Sequence, residues 1–454
     1  MIRLLWEKLK STIWFIPTLI AAVLVFTAFG LVTLDLHTES YSWEWVSKVK
    51  IGSSGVRQVL AVTSSAMISI TGVIFSISIV ALTLAANQLG PKVLRNYLRD
   101  SKNKMMLGLM VGSFLFGLVV LTSIDGDSSR DIPVFAFLAS MIIVVTAVAG
   151  FVYFIHNIST SIQADHAISL IGIELNQLID KKFPPLANEQ QNSEQPKREW
   201  KQITHPHSTL SIETIFAQED GYVEFISIPR MMNIAQSEKV FLEVLIRPGD
   251  FIIAGTQIIN IYSNDKISTS CKTSLYSSVS FGRQRTPVDD VEYAIVQLMQ
   301  IALRALSPGV NDSLTAISCI NWLTASLGRM IKKDSPIEFF KDDNDSVRLK
   351  KREFDFTDAT NAIFKPLREN SRTNEMVMIR LLECIAQLMP LSKKTLYSDI
   401  LLHHAQLMLD EVKGNFPCQS DIQDAMQRFK KCQQAHQRSA EHINQLRQIK
   451  NADA

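Results

Sequence analysis

Four long apolar stretches in the first third of this chain constrain it more than any other feature. A helix rises about 1.5 Å per residue, so crossing a hydrocarbon core of about 30 Å takes about 20 mostly apolar residues. Stretches that meet this requirement run over about 11–34, 56–86, 105–123 and 132–156, and none carries an acidic or basic residue at its centre. A spanning segment must satisfy its own backbone in lipid, which a helix does. Residues 1–156 are therefore expected to form a four-helix transmembrane domain in a lipid bilayer. Lys8 and Lys10 ahead of the first stretch resemble a signal peptide, but the run is long for one and no small-x-small cleavage site follows Gly30. A retained anchor is the expectation.

Lys and Arg fix the expected orientation. Arg3, Lys8 and Lys10 precede the first span, and Lys92, Arg95, Arg99, Lys102 and Lys104 lie between the second and third. The other two connections are acidic or mixed, with Asp35, Glu39 and Glu44 beside Lys48 and Lys50 in one and Asp125, Asp127 and Asp131 beside Arg130 in the other. The excess of positive charge on cytoplasmic loops then puts both termini inside. Tyr41, Trp43 and Trp45 sit where an outer aromatic belt belongs.

The second stretch is longer than the bilayer requires and rich in hydroxyls. At about 100° per residue, Ser65, Ser69, Gly72, Ser76, Thr83 and Asn87 share one stripe, and Ser64, Thr71 and Ser78 form a second line. Small and hydroxylated residues let helices pack closely. A polar stripe on a span must equally face protein or water, so a lined path is the other reading. Gly108 and Gly112 form a GxxxG pair in the third span, which points to packing. The spans hold no central carboxylate or lysine, which argues against a proton-coupled pump of the usual design. His156, at the inner end of the fourth span, is read as a solvated interfacial residue.

Beyond His156 the composition becomes that of a soluble protein. Helical spacing of Ile158, Ile162, Ile168, Ile171, Leu175 and Leu178 extends the fourth span over 157–186, until Pro184 and Pro185 end it. Residues 187–207 read as a linker. Residues 208–281 carry β-like runs at Tyr222–Ile228, Val240–Ile246, Phe251–Ile253 and Ile258–Tyr262, with a Pro-Gly-Asp turn between two of them. This texture resembles the small barrel-sandwich module of biotinyl and lipoyl carriers, without the exposed lysine those carriers modify. Residues 282–454 read as a helical domain, so the fold class is membrane α-helical with a cytoplasmic α+β region: a small β-barrel-like domain, then a helical one.

In residues 280–323, Thr286 is the expected N-cap of a helix, with Pro287 at its first position and Asp289, Asp290 and Glu292 near its positive end. Ser307-Pro308-Gly309 breaks that helix, and Asn311 or Asp312 caps the next. Arg283, Arg285, Arg304 and Ser307, with Asn311 and Asp312, are the candidate anion or ligand site; read structurally, they are caps, a turn and ion pairs. His403 and His404 are adjacent, point in different directions on a helix, and are expected at the surface. The scattered Cys271, Cys319, Cys384, Cys418 and Cys432 fit buried free thiols and form no zinc or disulfide pattern. A net charge of +2 gives no reason to expect nucleic acid.

SAMISITGVIFSISIVALTLAANQLGPKVLRNYLRD (65–100), YFIHNIS (153–159) and GRQRTPVDDVEYAIVQL with ALRALSPGVNDSLTA (282–316) resemble the bacterial predicted membrane proteins catalogued as domain of unknown function 2254. The resemblance implies a bacterial inner-membrane address and brings no activity with it. Ser313 stands where Pro is more usual. No P-loop, HExxH, GxSxG, kinase or dinucleotide signature is present, so an enzyme is not expected, nor a cofactor. Two functions stay open. One is a homo-oligomeric ion channel lined by the second span and gated by the cytoplasmic domain. The other is a membrane-anchored sensor or scaffold for an unknown protein partner.

Overall fold

The computed structural model describes residues 14–37, 53–89, 101–124, 133–161, 163–185, 211–285, 290–392 and 394–452. The belt residues Tyr41, Trp43 and Trp45, the basic Lys92, Arg95 and Arg99, the linker 187–207, and Thr286, Pro287 and Asp289 lie outside that set. The chain divides into two compact units, Met1–Ala167 and Ile168–Ala454.

The first unit holds α1 (Phe15–His37), α2 (Ser53–Leu89), α3 (Ser101–Thr122) and α4 (Val134–Ser161). All four are long and apolar enough to cross a membrane. α3 is the most enclosed, with 39% of its apolar window buried against 22% for each of the others. Glycine makes this enclosure possible. A Cβ on Gly108 would come within 2.9 Å of the Pro17 Cα, and one on Gly112 within 3.2 Å of the Ala21 Cα, so α1 seats directly on α3. Gly117 receives the Ser64 hydroxyl of α2 in the same way. The apolar filling between helices comes from Leu60, Phe116 and Ala136 toward one end and Met110, Ala147 and Phe154 toward the other. Polar ties close both ends. The Asp35 carboxylate accepts from the backbone N–H of Phe135 (3.2 Å) and Ala136 (3.0 Å), capping the first turn of α4. Asn157 Nδ2 donates to Asn103 Oδ1 at 3.0 Å.

The chain does not run as one helix into the second unit: α4 stops at Ser161 and α5 (Ala164–Lys182) begins a new one. Then follow β1 (Ser211–Phe216), β2 (Gly221–Ile226), α6 (Ile228–Ser237), β3 (Phe241–Val244), β4 (Phe251–Ile252), β5 (Gln257–Ser263), α7 (Thr269–Tyr276) and β6 (Val279–Gly282). After these come α8 (Val291–Ala305), α9 (Ser313–Met330), β7 (Phe339–Lys341), β8 (Val347–Lys351), α10 (Phe356–Asn370), α11 (Glu375–Leu388), α12 (Thr395–Asn415) and α13 (Gln419–Ala452).

The strands form two open sheets, of order β1-β5-β3-β8-β7 and β4-β2-β6. No barrel closes among the described residues. The reason is β8, which pairs parallel with β3 and carries β7 outward to a free edge. The charged run after α9 is thus a hairpin that completes the larger sheet, not a plain connection. Ile226, Leu242, Ile259, Ile261, Leu275 and Leu349 lie in one core beneath the strands and α6–α7. Gly249 takes φ +96 at the Pro-Gly-Asp turn, a conformation that suits glycine.

α5 docks on α9 within this unit. The Trp322 ring fills the space a Cβ on Gly172 would need, and Ser326 Oγ donates to Asn176 Oδ1 at 2.9 Å. Four of the five cysteines are buried free thiols, and Cys418 is exposed. His403 is exposed as its sequence suggests, but His404 is buried. Its Nε2 lies 3.0 Å from Asn361 Oδ1 and its ring packs on Phe364. Burial, then the neighbouring His403 and Arg368, push this imidazole down to about 4.

Candidate functional site

In α2 the buried residues are Val56, Leu60, Ser64, Met67, Thr71, Ile74 and Ala81. Ser65, Ser69, Gly72, Ser76 and Thr83 are all exposed. At about 100° per residue the centre of this exposed line lies about 160° from the centre of the buried face. The two polar lines seen in the sequence thus have different fates. Ser64 and Thr71 turn into the bundle, where the Thr71 hydroxyl donates to the Met67 carbonyl at 2.7 Å. The other line faces directly away from its own protomer, and nothing lies within 4 Å of a Cβ built on Gly72. Asn87 is on the same helix, with its side chain outside the described set.

Ser54 and Gln58 are also exposed and fall on the open line. The 100° rule would have found them, but a reading that starts from the hydroxyls at the middle of the span passes them over. From Ser54 to Thr83 the line is about 44 Å long at about 1.5 Å per residue, more than the roughly 30 Å of hydrocarbon it must cross. Two of its hydroxyls donate to their own helix, Ser69 to the Ser65 carbonyl and Thr83 to the Ile79 carbonyl, each at 2.9 Å. Ser65 and Ser76 make no side-chain hydrogen bond among the described residues. Exposed Val62, Ile79 and Val80 flank the line.

The six residues singled out around α8 occupy two places. Arg285 lies before the helix, whose N-cap is Asp290, accepting from Tyr293 N at 2.9 Å. Arg285 Nε donates to Asp290 Oδ2 at 2.6 Å, and Nη2 to Asp290 Oδ1 at 3.1 Å and Glu292 Oε2 at 3.0 Å. Arg247, which sequence reasoning did not single out, joins from the β3–β4 turn. Its guanidinium reaches Glu292 at 3.1 Å and Asp250 and Asp358 at 3.4 Å each. Burial opposes the charge on Arg285, but Asp290 and Glu292 outweigh it and raise the guanidinium above its ordinary value. Two guanidinium groups thus meet four carboxylates, which leaves no surplus positive charge for an anion. The adjoining cavity, of about 30 Å³ and lined by Phe183, Arg247, Asp290 and Lys351 among others, is too small for more than a water or so. Arg283 is exposed at the end of β6.

Arg304, Ser307, Asn311 and Asp312 sit at the other end of α8, about 22 Å away along a 15-residue helix. Ser307 Oγ donates to the Arg304 carbonyl at 2.6 Å, and Asn311 adopts φ 49. Asp312 caps α9, accepting from Thr315 N at 3.0 Å and Thr315 Oγ1 at 2.6 Å, and these bonds hold its carboxyl below the usual range. The two groups do not converge. No metal-binding cluster of His, Cys, Asp or Glu occurs among the described residues.

An open trough of about 390 Å³ lies over α11 between α9 and α13. Ile317, Met376 and Ile379 line it together with Glu375, Glu383 and Asp424. Burial and the carboxylates of Asp421 and Asp424 push the Glu375 carboxyl up.

No solved structure matches this chain. Uncharacterized proteins of Mycobacterium bovis and Mycobacterium tuberculosis are each 25% identical to it over 327 residues. The match takes in 70% of this chain and 60% of each relative, so the chain spans only part of the relatives' length. The model of a predicted membrane protein family matches residues 10–387, which includes all four apolar helices, both sheets and α8 to α10. The chain belongs to that family, DUF2254.

Proposed function

We propose that the protein is an oligomeric channel of the bacterial inner membrane, with copies of α2 lining a water-filled path and the cytoplasmic unit gating it. Both termini are on the cytoplasmic side in this reading, on the distribution of Lys and Arg. One observation carries the proposal: a polar line longer than the hydrocarbon is thick lies on the face of α2 opposite its own bundle. Facing lipid, the unpaired hydroxyls of Ser65 and Ser76 would each cost about 2 kcal/mol or more. Facing water or the same line on other copies, they cost little. Packing within the protomer does not account for the line, because the protomer does not cover it.

The test is conductance of the purified protein in planar bilayers, comparing wild type with Ser76→Leu and Thr83→Leu. Discrete currents that shrink in both variants are expected. A second reading, the membrane-anchored scaffold, draws its support from the exposed trough over α11. Silence from folded protein across voltage, tension and pH would favour that reading instead.

A further inference from the structure

We propose that the path conducts small anions and that Arg57 sets this preference at the mouth where α2 begins. The inference rests on the pore reading above and adds the sign of the permeant charge. Arg57 is the only charged residue in the whole of α2. It is exposed, and it has no ion-pair or hydrogen-bond partner among the described residues. It lies beside Gln58, the second polar residue of the open line, and about 90° round the helix from the line's centre. A long guanidinium side chain can reach the mouth from that flank while its stem covers apolar surface.

Within the described helices negative charge is nearly absent; the acidic Glu39, Glu44, Asp125, Asp127 and Asp131 of the connections lie outside the described residues. Among the described residues of α1 to α4 the only carboxylate is Asp35, and it is already engaged by the N–H groups of Phe135 and Ala136. The other charged side chains there, Lys102 and Lys104, are cations. A cation-selective lining needs rings of carboxylates or free backbone carbonyls. An intact helix spends its carbonyls on its own hydrogen bonds. What α2 can offer a permeant ion is hydroxyl dipoles, which turn to suit either sign, and one fixed positive charge, which does not. Repeated around an oligomer, Arg57 would form a positive ring that concentrates anions at the entrance.

Reversal potentials in planar bilayers under a KCl gradient test this. The wild type is expected to follow the chloride equilibrium potential. Arg57→Glu should lower the chloride-to-potassium permeability ratio by about tenfold or more, and Arg57→Lys should keep it. Because Arg57 is exposed, neither change disturbs the buried face of α2. Currents that shrink in Ser76→Leu but follow potassium would overturn the anion assignment and leave the pore standing. Anion selectivity unchanged in Arg57→Glu would overturn the role of Arg57. No current from any folded variant would remove the pore reading and this inference with it.

Discussion

In α2 the side chains turned outward include Val62, Ile79 and Val80, with hydroxyls among them; in α11 those turned inward include Val377, Leu381, Leu382 and Ile385. The first helix is long and apolar enough to cross a membrane and keeps apolar groups outside, whereas the second turns them into the core of its own unit. An exposed residue therefore means opposite things in the two units. In the first unit the anomaly is a polar group left outside, as at Ser76; in the second it is an apolar one, as at Met376. Within the first unit the glycines divide too: a Cβ on Gly112 would meet the backbone of α1, whereas nothing lies within 4 Å of one on Gly72.

Three experiments would break or sharpen this contrast. The largest effect is expected from Gly112→Leu, which drives a side chain into Ala21 and Leu24 and should cost about 3 kcal/mol or more, seen as loss of monodisperse protein in detergent. Gly72→Leu should leave the protomer folded and alter only assembly or conduction. If Gly112→Leu folds as well as the wild type, the close seating of α1 on α3 is misassigned; if Gly72→Leu fails to fold, the open face of α2 is.

Next in size is the pH response of the second unit through His404. The folded state holds this imidazole at about 4 against an ordinary value of 6.5. Between those values the unfolded chain binds a proton that the folded chain does not. Stability is then intact above about pH 6.5, falls as pH drops through the window, and levels off near pH 4 after losing about 3 kcal/mol. Thermal melts followed by tryptophan fluorescence should show this slope in the wild type and much less of it in His404→Gln. An identical slope in both would place the acid sensitivity elsewhere.

The smallest effect is expected at the α5–α9 surface pair. Asp180 receives Arg329 at 2.6 Å and Lys333 at 2.8 Å, but Asp180 and Arg329 are about half exposed. Asp180→Asn should cost no more than about 1 kcal/mol. A larger loss of melting temperature would show that this contact ties α5 down more firmly than its exposure suggests.

The four spans were legible because length and hydropathy alone decide them. Their ends, expected near 11–34, 56–86, 105–123 and 132–156, shift by a few residues to Phe15–His37, Ser53–Leu89, Ser101–Thr122 and Val134–Ser161. Which of the two polar lines on α2 would stay open was not legible. Both have the same periodicity, and it is the packing of the inward face, with Ser64 seated on Gly117 and Leu60, Met67 and Ile74 in the bundle, that turns one of them in. The strands from Tyr222 to Tyr262 showed through their composition, but the partner of β3 did not. Val347–Lys351 alternates charged and apolar residues like any surface run, and its pairing with Leu242–Val244 is a long-range event. The residues around α8 looked convergent because they are close in sequence, yet a straight helix holds its two ends apart. Arg247 was invisible as a partner because it arrives from a different turn of the fold.

The parallel pairing of β3 with β8 also orders events during synthesis. The ribosome delivers Phe241–Val244 long before Val347–Lys351, with α8 and α9 made in between. Until β8 emerges, β3 presents a row of unpaired backbone groups to whatever strand is near. A chain halted between α9 and β8 would retain every membrane helix and still carry an open strand edge. Such a fragment is expected to aggregate through that edge.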